Sequence, residues 1–396
     1  MNKTFSALVI FLLLSVLITL FIGCEADVPP SLFDPNATGA AVPKITQIIP
    51  ADSTLAGIGE ITMMGTDFSP VPEENLVFFN KDKITVISAS ETKLVLNSPN
   101  KPSEAVNIKI AKHGAFLFSN IMPYKLKQAL WEYAGYGQFD DPYGIACDKN
   151  ENLYVALASR KVEKVTPDGV RQDFGTTIFV RTPAMRVGPD DNLYLSRLTT
   201  ALYKIPLATG GAVVKWTDAP GRIYDFDFAP SGVLYAGGDN NDLYRINPDG
   251  SGIAVASYPS TYIKAIKVYD GYVYVGGRDK TANVQIVWRN KIISDDQLGE
   301  KEVYFSWSAK VDPISEVLSI AFAEDGVMYV GTDAGAAIMM VNPDGSFEPL
   351  YPGVIEPTSY SMAWGSGQYL YVNRRDELDP TRKRVIRLFM QKFGAP

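Results

Sequence analysis

One histidine, His113, stands in a chain of 396 residues. Histidine is the side chain best suited to moving protons near neutral pH, so acid–base chemistry here would fall to carboxylates and tyrosines. His113 sits in Ala111-Lys112-His113-Gly114, which reads as a turn. No Cys/His spacing of the metal-binding kind occurs, and no Ser–His–Asp set can be assembled. Cys147 lies in Gly144-Ile145-Ala146-Cys147-Asp148, an apolar strand in which it is a small core residue. Asp225, Asp227, Asp239 and Asp333 could imitate the carboxylates of a metal site, but acidic loop residues are too common to signal one. Gly237-Gly238 and Gly276-Gly277 read as turns and not as phosphate loops, because no helix follows them. The sequence implies no catalytic set, no metal and no cofactor.

What remains is a recognition set. Tyr143, Tyr224 and Tyr360 each stand eleven residues before another tyrosine, and Tyr262 is one place off that spacing. Arg197, Asp239, Asn240, Arg278, Asp279, Asp333, Arg374, Arg375 and Asp376 follow those later tyrosines. A tyrosine ring stacks while its hydroxyl hydrogen-bonds, so tyrosines beside Arg and Asp make a surface for sugar or peptide. The competing reading is that the rings wedge between structural elements and the charges solvate loops.

The later tyrosines fix the elements. Leu153-Tyr154-Val155 returns as Leu193-Tyr194-Leu195, Leu234-Tyr235-Ala236, Val273-Tyr274-Val275, Met328-Tyr329-Val330 and Leu370-Tyr371-Val372, at spacings of 40, 41, 39, 55 and 42 residues. A period of about 40–45 residues is that of a four-stranded propeller blade. Thr166-Pro167-Asp168-Gly169, Asn247-Pro248-Asp249-Gly250 and Asn342-Pro343-Asp344-Gly345 supply tight turns within the repeats. The long spacing between Tyr274 and Tyr329 predicts an insertion near Asn290–Trp307. The sixth repeat runs out after Arg384–Met390, while Ala129–Ala134 is an unassigned strand upstream of the first repeat. Closure abolishes exposed sheet edges, so Ala129–Ala134 is expected to complete the last blade of a six-bladed ring. The residues from Gly135 to Ala156 resemble an NHL repeat, with Asp140-Asp141-Pro142-Tyr143-Gly144-Ile145-Ala146 and Asn152-Leu153-Tyr154-Val155 as markers. The later repeats keep the turn and the tyrosine strand.

Upstream, from Pro43 to Leu126, short alternating strands such as Ile45–Ile49, Glu60–Met64, Leu76–Phe79 and Val106–Ile110 describe a β-sandwich. Pro43-Lys44-Ile45-Thr46-Gln47-Ile48-Ile49-Pro50, Gly65-Thr66-Asp67-Phe68 and Ser88-Ala89-Ser90-Glu91-Thr92-Lys93-Leu94 resemble the immunoglobulin-like IPT/TIG domains. That resemblance implies a spacer or a non-catalytic binding module. Residues 24–42 lack periodicity and read as a tether. Before them, Lys3, the apolar run Phe5–Ile22 and Gly23-Cys24 form an export signal. Ile22-Gly23-Cys24 resembles the lipobox of bacterial lipoproteins, in which the signal (here residues 1–23) is removed and the cysteine is lipidated. An uncleaved anchor helix is the alternative, since about 18 apolar residues just span a bilayer.

A net charge of −7, a pI near 5.0 and the lack of any Lys/Arg run exclude a phosphate track, so nucleic acid is not the expected partner. The expected protein is all-β: an immunoglobulin-like sandwich at 43–126, then a six-bladed NHL-like propeller at 127–396. It would be anchored through Cys24 to an outer membrane, facing the cell surface or the periplasm. The two-domain resemblance implies a non-catalytic binding protein, for glycan or protein, accessory to an outer-membrane importer. The binding residues expected are Tyr143, Tyr224, Tyr262, Tyr360, Arg278, Asp279, Asp239 and Arg374. A hydrolase or lyase acting at the channel mouth, and a purely structural docking platform, are the rival readings.

Overall fold

Each of the six repeat tyrosines lies on the second strand of its own antiparallel sheet, and each is 4% exposed or less. The structure, a computed structural model, describes residues 38–239 and 241–395. The export signal, Cys24, most of the tether and Asn240 therefore lie outside the described residues.

The first sheet runs Pro142–Cys147, Leu153–Leu157, Lys161–Val165, Arg171–Thr176, with Gly211–Ala212 of the next repeat added in parallel. The next four sheets each take their strands in sequence order, beginning with Met185–Val187, Asp225–Phe228, Thr261–Tyr269 and Val317–Phe322. The sixth takes Ser361–Trp364, Tyr369–Arg374 and Arg384–Phe389, and its fourth strand is Leu130–Glu132. Leu130 faces Leu388 and Glu132 faces Ile386, the pairing expected from a C-terminal repeat that runs out of chain. The first strands of the first and second sheets are neighbours, those of the third to the sixth are neighbours in turn, and that of the sixth lies beside that of the first. Arg186 of the second sheet reaches Asp225 of the third.

The period follows from packing. Strands within a sheet carry apolar side chains on both faces, so neighbouring sheets must fill the gap between them. Tyr194 packs edge-on against Phe228 of the next sheet at 5.0 Å, Tyr274 against Phe322 at 4.6 Å, and Tyr329 against Trp364 at 5.3 Å. Such pairs add about 0.5–1.5 kcal/mol beyond area burial. The hydroxyls are placed too: Tyr154 donates to Asp148 at 3.1 Å and Tyr194 to Asp190 at 2.8 Å. At the tight turns, Gly169, Gly250 and Gly345 adopt φ of 84–88°, which a residue without Cβ takes at no steric cost.

Two details depart from the sequence reading. Gly276-Gly277 is not a turn but the middle of Tyr272–Asp279, and Gly237 ends the strand Leu234–Gly237. A Cβ on Gly276 would lie 2.7 Å from Val317 Cγ1, and one on Gly277 would lie 2.2 Å from the Tyr262 carbonyl oxygen. These glycines let neighbouring strands approach. The insertion before Tyr329 is taken up by long strands, Val284–Ser294 and Gln297–Phe305, and by a four-residue helix, Trp307–Lys310. Arg245 of the third sheet donates to the Asp295 carbonyl at 3.0 Å and pairs with Asp296, fixing the tip of that extension.

Residues 44–127 form two facing sheets. One orders Lys44–Ile49, Glu60–Thr66, Lys93–Asn97 and Val86–Ala89; the other orders Ser53–Leu55, Met122–Lys127, Ser103–Lys112, Asn75–Phe79 and Asp82–Ile84. Alternating side chains such as Ile61, Met63, Val77, Leu94, Ile108 and Ile110 make their common core. His113 is an exposed turn residue, as its neighbours implied. No helix among the described residues is long and apolar enough to cross a membrane.

Candidate functional site

The first strands of the six sheets frame an axis with two unlike ends. At the starts of these strands the expected tyrosines gather. Tyr224 and Tyr262 meet edge to face at 5.5 Å. Tyr143 lies 3.5 Å beneath the Arg375 guanidinium. Burial pushes the hydroxyl pKa of Tyr360 upward, as it does that of Tyr262, so both stay protonated. This end is nearly filled. The cleft that Tyr224 and Tyr360 line with Arg186, Lys264 and Ser361 measures only ≈ 40 Å³, about the room for a water.

Arg375 closes this end from the first and last sheets. Its side chain is 2% exposed, donates to Asp141 at 2.5 Å and pairs with Glu377 at 2.7 Å. Lys383 joins Asp141 at 2.7 Å. Burial works against the Asp141 carboxylate, but the hydrogen bonds from Lys383 and Arg375 outweigh it and hold its pKa below the usual range. Asn373 donates to the Pro142 carbonyl at 3.0 Å, adding a neutral tie between the same two sheets.

Below the tyrosines an ion network crosses three sheets. Arg186 bonds Asp225 at 3.0 and 3.2 Å and lies 3.5 Å from Asp227, which Lys267 reaches at 2.9 Å. Both carboxylates also accept backbone N–H groups of the fourth sheet, Asp225 from Ile266 at 2.8 Å and Asp227 from Val268 at 2.9 Å. The first strand there presents a bare edge to the axis, and two aspartates of the third sheet satisfy it. Burial pushes the Asp225 carboxyl pKa up, with Arg186 and the Ile266 amide pulling against it.

The far ends of the same strands open into a cavity of ≈ 950 Å³. Phe228, Tyr269, Phe322 and Trp364 supply aromatic wall, Lys267 and Asp227 polar floor, and Asp270, Asp295 and Glu324 an acidic rim. Tyr269 and Phe322 stack at 4.4 Å. The Trp364 indole N–H is buried and has no hydrogen-bond partner among the described residues. Cys147 also lines this cavity, where burial and the nearby Glu151 and Asp148 push its thiol pKa up. It is a thiol and a poor nucleophile. The C-terminal segment runs along the rim, bridged by Ala323 and Gly394, with the Ala395 N–H donating to Phe322.

Residues 43–125 match the IPT/TIG domain family. No curated protein matches the chain. Solved structures share its fold at low identity. A putative phosphatase from Bacteroides thetaiotaomicron aligns with a TM-score of 0.59 and 10% identity over 90% of this chain and 99% of its own. An auxiliary nutrient binding protein from the same organism aligns at 0.54 and 12%, with the same coverage. A luciferin-regenerating enzyme aligns at 0.52 and 14%, over 65% of this chain and 94% of its own. Binding proteins and enzymes share this architecture, so the fold does not choose between them.

Of the eight expected binding residues, the structure brings the four tyrosines to one end of the axis. The other four lie near them in the loops and strand ends of that side, three of them with local partners. Asp239 pairs with Lys280 at 2.7 Å, both largely exposed. Asp279 accepts the Thr281 and Ala282 amides and so shapes its own loop. Arg374 is buried and bonded to Glu356 and the Pro357 carbonyl. Arg278 lies opposite Tyr262 in the ladder, with its Nε buried and unpartnered among the described residues. The four aspartates weighed as a metal set do not converge: Asp225 and Asp227 serve the ion network, Asp239 an ion pair, and Asp333 the Glu316 amide. Sequence reasoning missed the wide cavity and the network. Their signal was a cation in the middle of an apolar first strand, in Met185-Arg186-Val187 and Ile266-Lys267-Val268.

Proposed function

We propose that this chain is a non-catalytic, lipid-anchored ligand-binding protein. In this reading residues 127–396 form a six-bladed β-propeller, closed through Leu130–Glu132, and residues 43–126 form a spacer. A tether, 24–42, joins the spacer to lipid on Cys24 at an outer membrane. The adjacency of the first strands from the third sheet to the sixth, and of the sixth with the first and the first with the second, supports the propeller. The apolar run before Gly23-Cys24 supports the anchor. The observation that carries binding is the ≈ 950 Å³ axial cavity, which falls within the size range of small-ligand sites. Its mixed aromatic and polar wall suits a nutrient-sized molecule with ring faces and hydroxyls, a glycan first among them.

A binding role fits the site's electrostatics better than catalysis does. Asp225 and Asp227 are already held by Arg186, Lys267 and two backbone amides, so neither is free to serve as a general base. The test is calorimetry of the full chain in detergent against neutral oligosaccharides, short peptides and free amino acids. Saturable binding without turnover supports the reading. Turnover of a bound compound, lost in Asp225→Asn or Asp227→Asn, would move the protein to the enzymes.

A further inference from the structure

The link between Ser103–Lys112 and Met122–Lys127 in the sandwich ends in an apolar tip. Phe116 is 73% exposed, Leu117 66%, Phe118 47% and Ile121 58%. The sandwich core closes without any of them. The loop is nevertheless braced. Ser119 Oγ accepts the Ile110 amide at 2.9 Å, the Asn120 side chain bonds both the N–H and the carbonyl of Ile45, and the His113 amide donates to Glu74 at 2.9 Å. Consecutive large apolar side chains on a held loop, turned to solvent, mark an interaction surface.

The path of the chain says what covers it. The described residues begin at this loop: Gly39 lies against Phe116, and the Ala40 amide donates to the Gly114 carbonyl at 2.8 Å. Fourteen residues separate Gly39 from Cys24, a reach of at most about 50 Å. Anything held at Cys24 therefore stays at a high effective concentration beside the tip, and a weak contact suffices. Lys109 lies 4.2 Å over the Phe118 ring and Lys112 begins the same loop. Phe and Leu dipping below the headgroups with lysines at headgroup level is the arrangement of an interfacial anchor.

We propose that Phe116, Leu117 and Phe118 form a second, reversible membrane contact, inserting shallowly into the bilayer that holds the lipid on Cys24. The contact orients the sandwich, and with it the six sheets, relative to the membrane. This rests on the lipid-anchor reading.

The experiment places the full chain in vesicles made with acyl-brominated phosphatidylcholine and phosphatidylglycerol. It compares Phe116→Trp with Ile87→Trp, a position 55% exposed on the other sheet of the sandwich. The chain should co-float with the vesicles, the emission added by Phe116→Trp should be mostly quenched, and that added by Ile87→Trp should persist. Co-flotation with equal quenching, or none, at the two positions overturns this contact and leaves the anchor standing. A chain that fails to co-float overturns both. Emission of Phe116→Trp that shifts to the blue with protein concentration in detergent, before any vesicle is added, assigns the tip to a second copy and overturns the lipid assignment.

Discussion

The two ends of the axis use the same kinds of residue to opposite effect. At the starts of the first strands, Tyr224 packs on Tyr262 and Tyr143 on Arg375, and the cleft lined by Tyr224 and Tyr360 measures ≈ 40 Å³. At the far ends, Phe228, Tyr269, Phe322 and Trp364 stand back from the axis and leave ≈ 950 Å³. Aromatic content does not separate the two. What separates them is whether charged groups reach across to fill the axis. Arg375, Asp141 and Lys383 tie the first sheet to the last at the narrow end, and Arg186, Asp225, Asp227 and Lys267 tie the second, third and fourth just below it. At the far end the ties between sheets run around the rim, as where Glu151 of the first sheet accepts from Ser366 Oγ of the last and Lys149 pairs with Asp191, so the axis stays open.

If those ties only lock a ring that is already closed by strand pairing, breaking the pairing should do the most damage. A chain starting at Gly135 lacks Leu130–Glu132 and leaves the Arg384–Phe389 edge bare along Ile386–Leu388. An unpaired edge is a template for association. This chain should aggregate or melt far earlier, as read by light scattering and thermal denaturation. A monomer with an unchanged Tm would show that the ring does not depend on this pairing.

Next in size comes the network. Asp225→Ala leaves Arg186 with its longer contact to Asp227 as its one ion pair, beside its bond to the Met185 carbonyl, and orphans the Ile266 amide. Removing one partner of a buried pair typically costs about 3–5 kcal/mol. The same change at exposed Asp239, which pairs with Lys280, should cost under about 1 kcal/mol. Urea unfolding of the two variants gives the contrast directly. Equal small losses would make the network incidental to the fold.

These differences explain how much could be read in advance. The repeat was legible because each sheet needs one large ring in the wedge beside its neighbour, and Tyr154, Tyr194, Tyr235, Tyr274, Tyr329 and Tyr371 fill it in turn. The pairing of Leu130–Glu132 with Arg384–Phe389 was legible from arithmetic, since the last repeat lacked a strand and the upstream one had no partner. The four mouth tyrosines were legible as a group, yet their spacing carries no information on whether rings fill a space or line one. The wide cavity left little trace. Its walls use the same apolar positions as the core, and only the direction of the strands along the axis determines that they splay there. Asp279 and Arg374 show the first duty of charges in loops that leave a strand, which is to satisfy local backbone and neighbouring ions.

The narrow end should also show its character in acid. Asp141 has its pKa held low, against burial, by Lys383 and Arg375. A depressed carboxylate contributes stability that is fully present above its unfolded value, about 3.9, and is lost as pH falls through the folded value. Asp141→Asn keeps the shape, and asparagine tolerates the φ of 50° found there. The variant should be less stable than the parent at pH 7 by about 1.5–3 kcal/mol, the worth of hydrogen bonds to a charged group. The gap should narrow below about pH 4, where the parent loses the same contribution. Urea midpoints measured from pH 7 to pH 3 give both curves. A gap that stays constant through acid would mean that the Asp141 charge does no work in closing this end.

The smallest expected effects decide which end binds. Trp364→Phe removes an indole N–H with no partner among the described residues and keeps an aromatic ring against Tyr329. Tyr269→Phe removes a hydroxyl and keeps the stack on Phe322. Tyr269→Phe removes no packed carbon and should move stability little; Trp364→Phe also trims ring atoms packed near Tyr329, so its Kd is read beside its Tm. If a ligand of the wide end uses these groups, each change loses one hydrogen bond, about 0.5–1.5 kcal/mol or up to roughly tenfold in Kd. Tyr224→Phe and Tyr360→Phe make the same chemical deletion at the narrow end, where the remaining space admits little more than a water, and should leave Kd within about twofold. Calorimetry with whichever compound binds the parent chain checks all four variants side by side. The reverse ranking would place the ligand over the tyrosine cluster, on a surface and not in a cavity. The recognition set first read from the tyrosine spacing would then be the binding site after all.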